Sequence, residues 1–491
     1  GDGYSDVTVT DDAGLAGALA GADVYVPGWL GSTVSAETLE VIGDFVRGGG
    51  GLFISDYGVG YTWWWGKPIH EAPGNVLLRE AGIGFVGGNT WYESGLTLFK
   101  TPSEQINGEA LLTMLGDKSL FTASEQTLGL RLLERVYDAL PPGDPLAARL
   151  DAAVEVLMEE ISPTPLNPIS GYWEQALLER ESTLLDETPL AALEKHRTAD
   201  EIFGPVPDDA PRVTATVLID PAVTRWHTTG YYLAPGELAT VTAPAEVIDE
   251  GFTIQVSGHV DDISNTDTWL RMPRVDRVFD LDATEIPIAS PFGGALYVNV
   301  GTTSTDLPPF EVTFSGVVEA PLFALGETTD AAWTGGIRDL PAPYAEFVSD
   351  HLSLSLPASM IRELDDAEAV AAFWDEVVSI QDALGMVEDL RTNAERINID
   401  VQVSWGYLHA GYPVQGPLVA GPELVDMDGL LQSGSWGWFH ELGHEAQRRP
   451  DKSWGWDNAY TFDGAVEATV NIFTATVYDV MEIPSRGGWS W

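Results

Sequence analysis

The chain has 491 residues, of which 75 are acidic and 24 basic, giving a formal net charge of -51, and it has no cysteine. A surface that acidic repels phosphate backbones and anionic lipid heads, so nucleic acid and membrane surfaces are poor partners. The absence of cysteine excludes disulfides, thiolate metal sites and cysteine nucleophiles together, leaving His, Asp and Glu to hold any metal.

At ~150 residues per domain the length predicts three or four domains, and 44% hydrophobic residues with 17 Trp give each a core. The acid excess reads as a solvated coat of the kind that suits a salty medium. No apolar run is long enough for a membrane span, and no basic-then-apolar signal opens the sequence. It starts "GDGYSD" without Met and stops at "GGWSW", so both ends read as cuts within a longer protein.

In the first hundred residues short apolar runs alternate with helical patterns. "DVTVT" is a predicted strand, "DDAGLAGALAGA" a helix, "DVYVP" a strand, "SAETLEVIGDFVRGG" a helix, "GLFISDY" a strand and "NVLLREAG" a helix. This order predicts a parallel sheet with crossover helices. It resembles the class I glutamine amidotransferase-like fold, a flavodoxin-type sheet whose active cysteine follows a strand. The comparable stretch here, "FISDYGVGY", offers Asp56 and Tyr57 and no sulfur. Residues 1–100 are therefore expected to be an amidotransferase-like α/β domain without its catalysis, acting as scaffold or recognition module. His70 and the "TWWWGKP" cluster in it either pack or bind glycan.

Residues 101–211 turn helical. "EQTLGLRLLERVYDAL", "PLAARLDAAVEVLMEEI" and "GYWEQALLERESTLL" carry apolar residues at three- and four-residue steps, separated by Pro and Gly clusters. They predict a helical connector. In residues 212–325 the period drops to two: "TATVLI", "LATVTAP", "FTIQVSG", "ALYVNVG" and "FEVTFSG" are spaced as in a β-sandwich. Residues 326–491 are mixed and more helical, and they contain "GSWGWFHELGHEAQ".

On a helix, residues i and i+4 lie about 40° apart around the axis, so His440 and His444 would present two imidazoles on one face. Glu441 projects beside them, where a carboxylate can take a proton from a metal-activated water. A third ligand is required, and Glu467 in "DGAVEATVNIFT" is the candidate, with Asp463 four residues earlier as its rival. Twenty-two residues lie between His444 and Glu467, enough to turn back and bring a second helix against the first. Asn471 falls on the same face as Glu467 one turn later. Gly443 inside the motif costs ~1 kcal/mol of helix propensity relative to Ala, which points to close approach by another element.

The longer pattern resembles the M60-like, enhancin-like zinc metallopeptidases. "GWFHELGHEAQ", "GAVEATVNIF" and "GYLHAGYPVQG" look like that family's catalytic blocks, and "TTGYYLAPGE", "WLRMP" and "FGGALYVNV" like the sandwich block before them. The blocks run in the family's order from about residue 221 to 479, and the whole layout resembles channel-associated-factor-type relatives. The resemblance implies His440, His444 and Glu467 as ligands of one Zn2+ per chain and Glu441 as general base, in a zincin-type, gluzincin-like domain. It implies an endopeptidase that cuts O-glycosylated, mucin-type proteins and works outside the cell, secreted or at its surface. One departure is Glu445, where an uncharged residue is expected. The family's further helical sequence after the second metal helix is not reached, so the domain is expected to be cut short at its C-terminus.

Around this site, His409 and Tyr412 in "GYLHAGYP" either meet substrate or an oxyanion, or form a packed, hydrogen-bonded loop. Trp436 and Trp438 either stack on sugar faces or pack in the core. Gln447 is structural or supports a metal ligand. The competing function is a non-catalytic glycan- or mucin-binding protein that uses the sandwich and the first domain. Charge sharpens the substrate question, because anionic glycans would be repelled at low salt unless the cleft is less acidic than the whole.

Overall fold

The computed structural model describes residues 12–27, 30, 34–54, 58–85, 107–248, 250–448, 461 and 464–484. It divides into two compact units, Gly1–Glu160 and Ile161–Trp491.

In the first unit helix α1 (Asp12–Leu19) leads to strand β1 (Val24–Tyr25), helix α2 (Ala36–Arg47) and strand β2 (Gly51–Leu52). The Ser35 hydroxyl caps α2 by accepting from the Thr38 amide at 3.1 Å, satisfying a donor that no helical carbonyl can reach. β1 and β2 pair in parallel, Val24 with Gly51 and Tyr25 with Leu52, as a strand–helix–strand crossover requires. Leu15, Leu19 and Ile42 form the core between the helices and this pair. Among the described residues the sheet has these two strands; the predicted strand at residues 6–10 and the pair Asp56 and Tyr57 lie outside them. Helices α3 (Gly58–Trp65) and α4 (Pro73–Leu78) follow. The "TWWW" cluster forms the end of α3, with Trp63 and Trp64 exposed and Trp65 against Tyr61.

Helices α5 (Gly108–Gly116), α6 (Ala123–Ala139) and α7 (Pro145–Met158) complete this unit. A reciprocal capping box between Thr122 and Glu125 starts α6, and α7 starts with Pro145 behind an Asp144 cap. The next helix, α8 (Tyr172–Glu187), lies in the second unit, followed by α9 (Ala199–Phe203). The stretch predicted as one connector is thus shared between the units.

The second unit opens with the sandwich: β3 (Val213–Ile219), β4 (Trp226–Leu233), β5 (Leu238–Thr242), β6 (Thr253–Val256), β7 (Arg277–Asp280), β8 (Glu285–Ala289), β9 (Gly294–Asn299) and β10 (Phe310–Glu319). All pairings are antiparallel, in the order β7-β6-β9-β4-β10-β5-β8 with β3 also on β10. A bulge between Ser315 and Val317 bends β10, so that one strand serves two sheets. Residues such as Val241, Ile254, Ile288, Val298 and Val312 point inward from both sheets into one core.

The remainder is a five-stranded mixed sheet with helices. Strand β11 (Leu322–Ala324) precedes α10 (Asp330–Thr334), β12 (Tyr344–Val348), β13 (Leu352–Pro357), α11 (Ala367–Gly385), β14 (Glu395–Asp400) and β15 (Val414–Pro417). Helices α12 (Met427–Ser433), α13 (Trp436–Arg448), α14 (Val466–Thr469) and α15 (Asn471–Val480) follow. The sheet order is β11-β12-β13-β14-β15, with only β12 and β13 antiparallel. Alternate residues of β14 face opposite ways. Ile397 and Ile399 join the core under the helices, with Trp374, Phe439 and Val477. Arg396, Asn398 and Asp400 are equally buried on the sandwich side, where each has a polar partner: Glu346 and Thr228, Gln415, and Arg271. The sheet is therefore clamped between helices and sandwich, and α13 is held on its helical side.

Candidate metal centre

Helix α13 carries the histidines because its two faces differ. Trp438, Phe439 and Leu442 are buried in the core around α11, with Ala446 in a smaller cluster with Val387 and Phe473, and each large side chain there contributes about 1.5–3 kcal/mol of burial. The helix can begin only after a sharp turn. Gly434 supplies it at φ 61°, in a spot where a Cβ would lie 2.6 Å from the Tyr478 ring. Gly443 has the second demand made of a glycine here: a Cβ would meet Phe473 Cβ and Val470 Cγ2, both at 3.1 Å. That close approach, expected from the sequence, brings the α14–α15 segment against the face that bears the imidazoles.

The result is a cluster of three ligand atoms within 4.8 Å of one another, from His440, His444 and Glu467. The Nε2 atoms of His440 and His444 are 3.2 Å apart, and Glu467 Oε2 lies 3.1 Å from the first and 3.3 Å from the second. The histidines are 6% and 3% exposed, whereas the Glu467 side chain is 66% exposed and faces the opening. Asp463, the rival third ligand, lies outside the described residues.

Two amides fix the state of the rings. Gln447 Nε2 donates to the Val466 carbonyl at 3.2 Å and to Thr469 Oγ1 at 2.6 Å, so its Oε1 is the atom that faces His444 Nδ1, at 3.0 Å. Asn471 Nδ2 donates to the Glu467 carbonyl at 2.9 Å, which turns its Oδ1 toward His440 Nδ1 at 3.2 Å. An amide oxygen only accepts, so each imidazole carries its hydrogen on Nδ1 and offers a lone pair at Nε2. Two lone pairs and a carboxylate oxygen pointed at one spot repel each other unless a cation sits among them. This donor set fits a divalent metal, with two nitrogens and one oxygen from the protein and a position left open. Burial lowers the His444 pKa, which keeps that ring neutral and able to ligate. Replacing Gln447 with Leu removes the amide oxygen that fixes the His444 tautomer, and should weaken metal affinity about 10–100-fold; competition with a chromogenic chelator measures it.

Glu441 is half-buried beside the cluster. Burial raises its carboxyl pKa, opposed by the His440 ring, a backbone hydrogen bond from Ala410 and the His409 ring. His409 therefore lies close to the reacting region, on the loop between β14 and β15. Burial, the largest influence on it, lowers its pKa, but the Asp261 carboxylate and the Ala410 carbonyl outweigh that, and the net shift is upward. Tyr412 is placed differently. Its ring packs edge-on to Trp226 at 5.6 Å with the Arg225 guanidinium 4.4 Å above it, in the seam between sheet and sandwich.

The two tryptophans separate. Trp436 is 40% exposed and lies 4.5 Å from the His440 ring, beside the cluster. Trp438 is fully buried and belongs to the core, which corrects its assignment as a sugar-stacking candidate: four residues before Leu442, it must point with it into the apolar side of α13. Residue-by-residue reading missed Asp261, Arg271 and Asp400, which act across 129 to 148 positions of chain and leave no local pattern. It also passed over Trp405 and Tyr407, exposed aromatics on the His409 loop that could have been found by their clustering near "GYLHAGYP".

Comparison with known proteins agrees with this geometry. Residues 316–487 match the family model "Peptidase M60, enhancin and enhancin-like", and residues 208–315 match the N-terminal domain of M60-like peptidases. A TRPM8 channel-associated factor homolog of Xenopus laevis is 29% identical over 479 residues, covering 92% of this chain and 49% of its own. Human TRPM8 channel-associated factor 1 is 27% identical over 478 residues, covering 92% and 50%. The chain thus spans about half the length of the curated relatives it matches. Among solved structures, an IMPa metallopeptidase in complex with T-antigen superposes over 96% of this chain and 60% of its own, with a TM-score of 0.51 and 16% identity, a likeness of fold. With the two models matched end to end over residues 208–487, this chain belongs to the M60-like, enhancin-like peptidase family.

Proposed function

We propose that the protein is a zinc-dependent endopeptidase acting on O-glycosylated, mucin-like proteins. The observation that carries this reading is the pair of Nε2 lone pairs and the Glu467 carboxylate converging on one point, each ring turned by its own amide. His440, His444 and Glu467 would hold the metal in a gluzincin-like arrangement. When bound, zinc supplies Lewis-acid chemistry, making a water acidic enough to lose a proton near neutral pH and polarising the scissile carbonyl. Glu441 takes that proton and returns it to the leaving amine nitrogen, so one carboxylate serves as base and then acid. Trp436, partly exposed beside His440, is the aromatic placed to meet the C–H face of a sugar on the substrate. No described helix is long and apolar enough to cross a membrane. We place the protein outside the cell, secreted or at its surface, where mucin-type substrates are found, with residues 1–100 as an amidotransferase-like, flavodoxin-type module that has no catalytic cysteine.

The names of the curated relatives favour a second reading, in which the peptidase fold is kept for binding a glycoprotein partner and cleaves nothing. One experiment separates the two. A synthetic O-glycopeptide and its unglycosylated twin are incubated with the zinc-loaded protein and followed by mass spectrometry. Cleavage restricted to the glycosylated peptide is expected. Binding of the glycopeptide without any cleavage would replace the peptidase reading with the binding one.

A further inference from the structure

The His409 ring is held at both nitrogens by atoms that only accept. Nε2 lies 2.8 Å from Asp261 Oδ2, and Nδ1 lies 3.0 Å from the carbonyl oxygen of Ala410. With an ionised carboxylate on one side and a carbonyl on the other, each ring nitrogen must carry a hydrogen, and the ring is an imidazolium. Asp261 comes from the loop after β6, in the part of the chain matched by the N-terminal domain of M60-like peptidases, whereas His409 and Glu441 lie in the peptidase domain.

Asp261 is itself fixed at both ends. Its Oδ2 also accepts the Ser404 amide at 2.7 Å, and its own carbonyl accepts Arg271 Nη2 at 2.9 Å. The His409 loop packs on α13, the helix that carries Glu441: a Cβ on Gly437 would lie 2.8 Å from Leu408 Cδ1. The charged groups facing the ring are Asp261 from the sandwich and Glu441 from α13.

We infer that Asp261 is a positioning residue for catalysis: from the sandwich it fixes His409 as a cation on the loop packed against α13, and so holds that loop in place beside Glu441. The inference rests on the peptidase reading for its catalytic consequence, though not for the ion pair itself. The sandwich is then part of the working site, and a peptidase domain without it lacks the group that holds the His409 loop. Residues 404–410, carrying exposed Trp405 and Tyr407, are anchored by the same aspartate.

The test uses the full zinc-loaded chain labelled with 15N-histidine, its His409 signals identified by their loss in His409→Gln. Both His409 nitrogens are expected to be protonated at neutral pH in the wild type. In Asp261→Asn the ring should become neutral at that pH with zinc retained. In the same variant the alkaline limb of glycopeptide kcat/KM should move to lower pH, with a loss of about tenfold or more at neutrality. A neutral His409 in the wild type, a measurement that needs no variant to fold, overturns the inference. So does an Asp261→Asn variant whose alkaline limb stays in place while the rate falls, because that marks a purely structural aspartate. A wild type that cleaves nothing but holds a charged His409 refutes the peptidase reading and the catalytic role together, and leaves only the ion pair.

Discussion

Glu441→Gln should bind zinc as the wild type does and cleave the glycopeptide about 10²- to 10⁴-fold more slowly, the range attached to a positioned general base. The substitution keeps the shape of the side chain and one of its oxygens as an acceptor. What is lost is the ability to take a proton. The three ligand atoms come from other residues, and their orientation depends on Gln447 and Asn471, neither of which touches the altered amide. Zinc content by atomic emission and product formation by mass spectrometry check the two halves separately. A variant that loses zinc along with activity would give Glu441 a structural part in the site, and one that cleaves at the wild-type rate would remove it from the chemistry.

The grouping of the candidate site was legible because a helix writes its geometry locally. His440 and His444 share a face by period alone, and Gly443 signals the close approach of another element, which Phe473 and Val470 supply. Glu467 was reachable as a candidate, but its rank over Asp463 came from the family's pattern and not from spacing. Five sandwich strands were equally open to reading, since β3, β5 and β10 alternate buried and exposed residues along one solvated sheet.

The mixed sheet was not legible, and β14 shows why. Its sequence, "ERINID", places charged and amide side chains where a buried strand is expected to be apolar, yet all six residues are buried. Each polar group is satisfied by a partner that lies far away in sequence: Arg396 by Glu346 and Thr228, Asn398 by Gln415, Asp400 by Arg271. Period and propensity carry no trace of such pairs, because the compensation is tertiary. Trp438 was legible only as a choice between sugar stacking and core packing, and it takes the core because α13 needs that position for its apolar side.

Arg271→Met should destabilise the second unit by about 3–5 kcal/mol, the cost of leaving one member of a buried ion pair without its partner. Arg271 and Asp400 are both fully buried, and the pair is bidentate, Nε to Oδ1 at 3.0 Å and Nη2 to Oδ2 at 2.9 Å. The remaining donors reach the carbonyls of Met272, Pro273 and Asp261 at 2.8, 3.1 and 2.9 Å, so all five guanidinium hydrogens are used. Methionine fills much of the volume and satisfies none of these acceptors. Lysine is no substitute either, since its three donors lack the planar fork that spans two carboxylate oxygens. The loss should show as a lower midpoint in denaturant, and Asp400→Leu added to Arg271→Met should recover part of it by removing the stranded charge. Unchanged midpoints would mean that the pair contributes nothing net. The effect should also reach the metal centre, because Arg271 holds the carbonyl of the same Asp261 whose carboxylate grips His409. An arginine in the sandwich thereby stabilises the seam with the peptidase sheet and sets the position of the loop that carries His409.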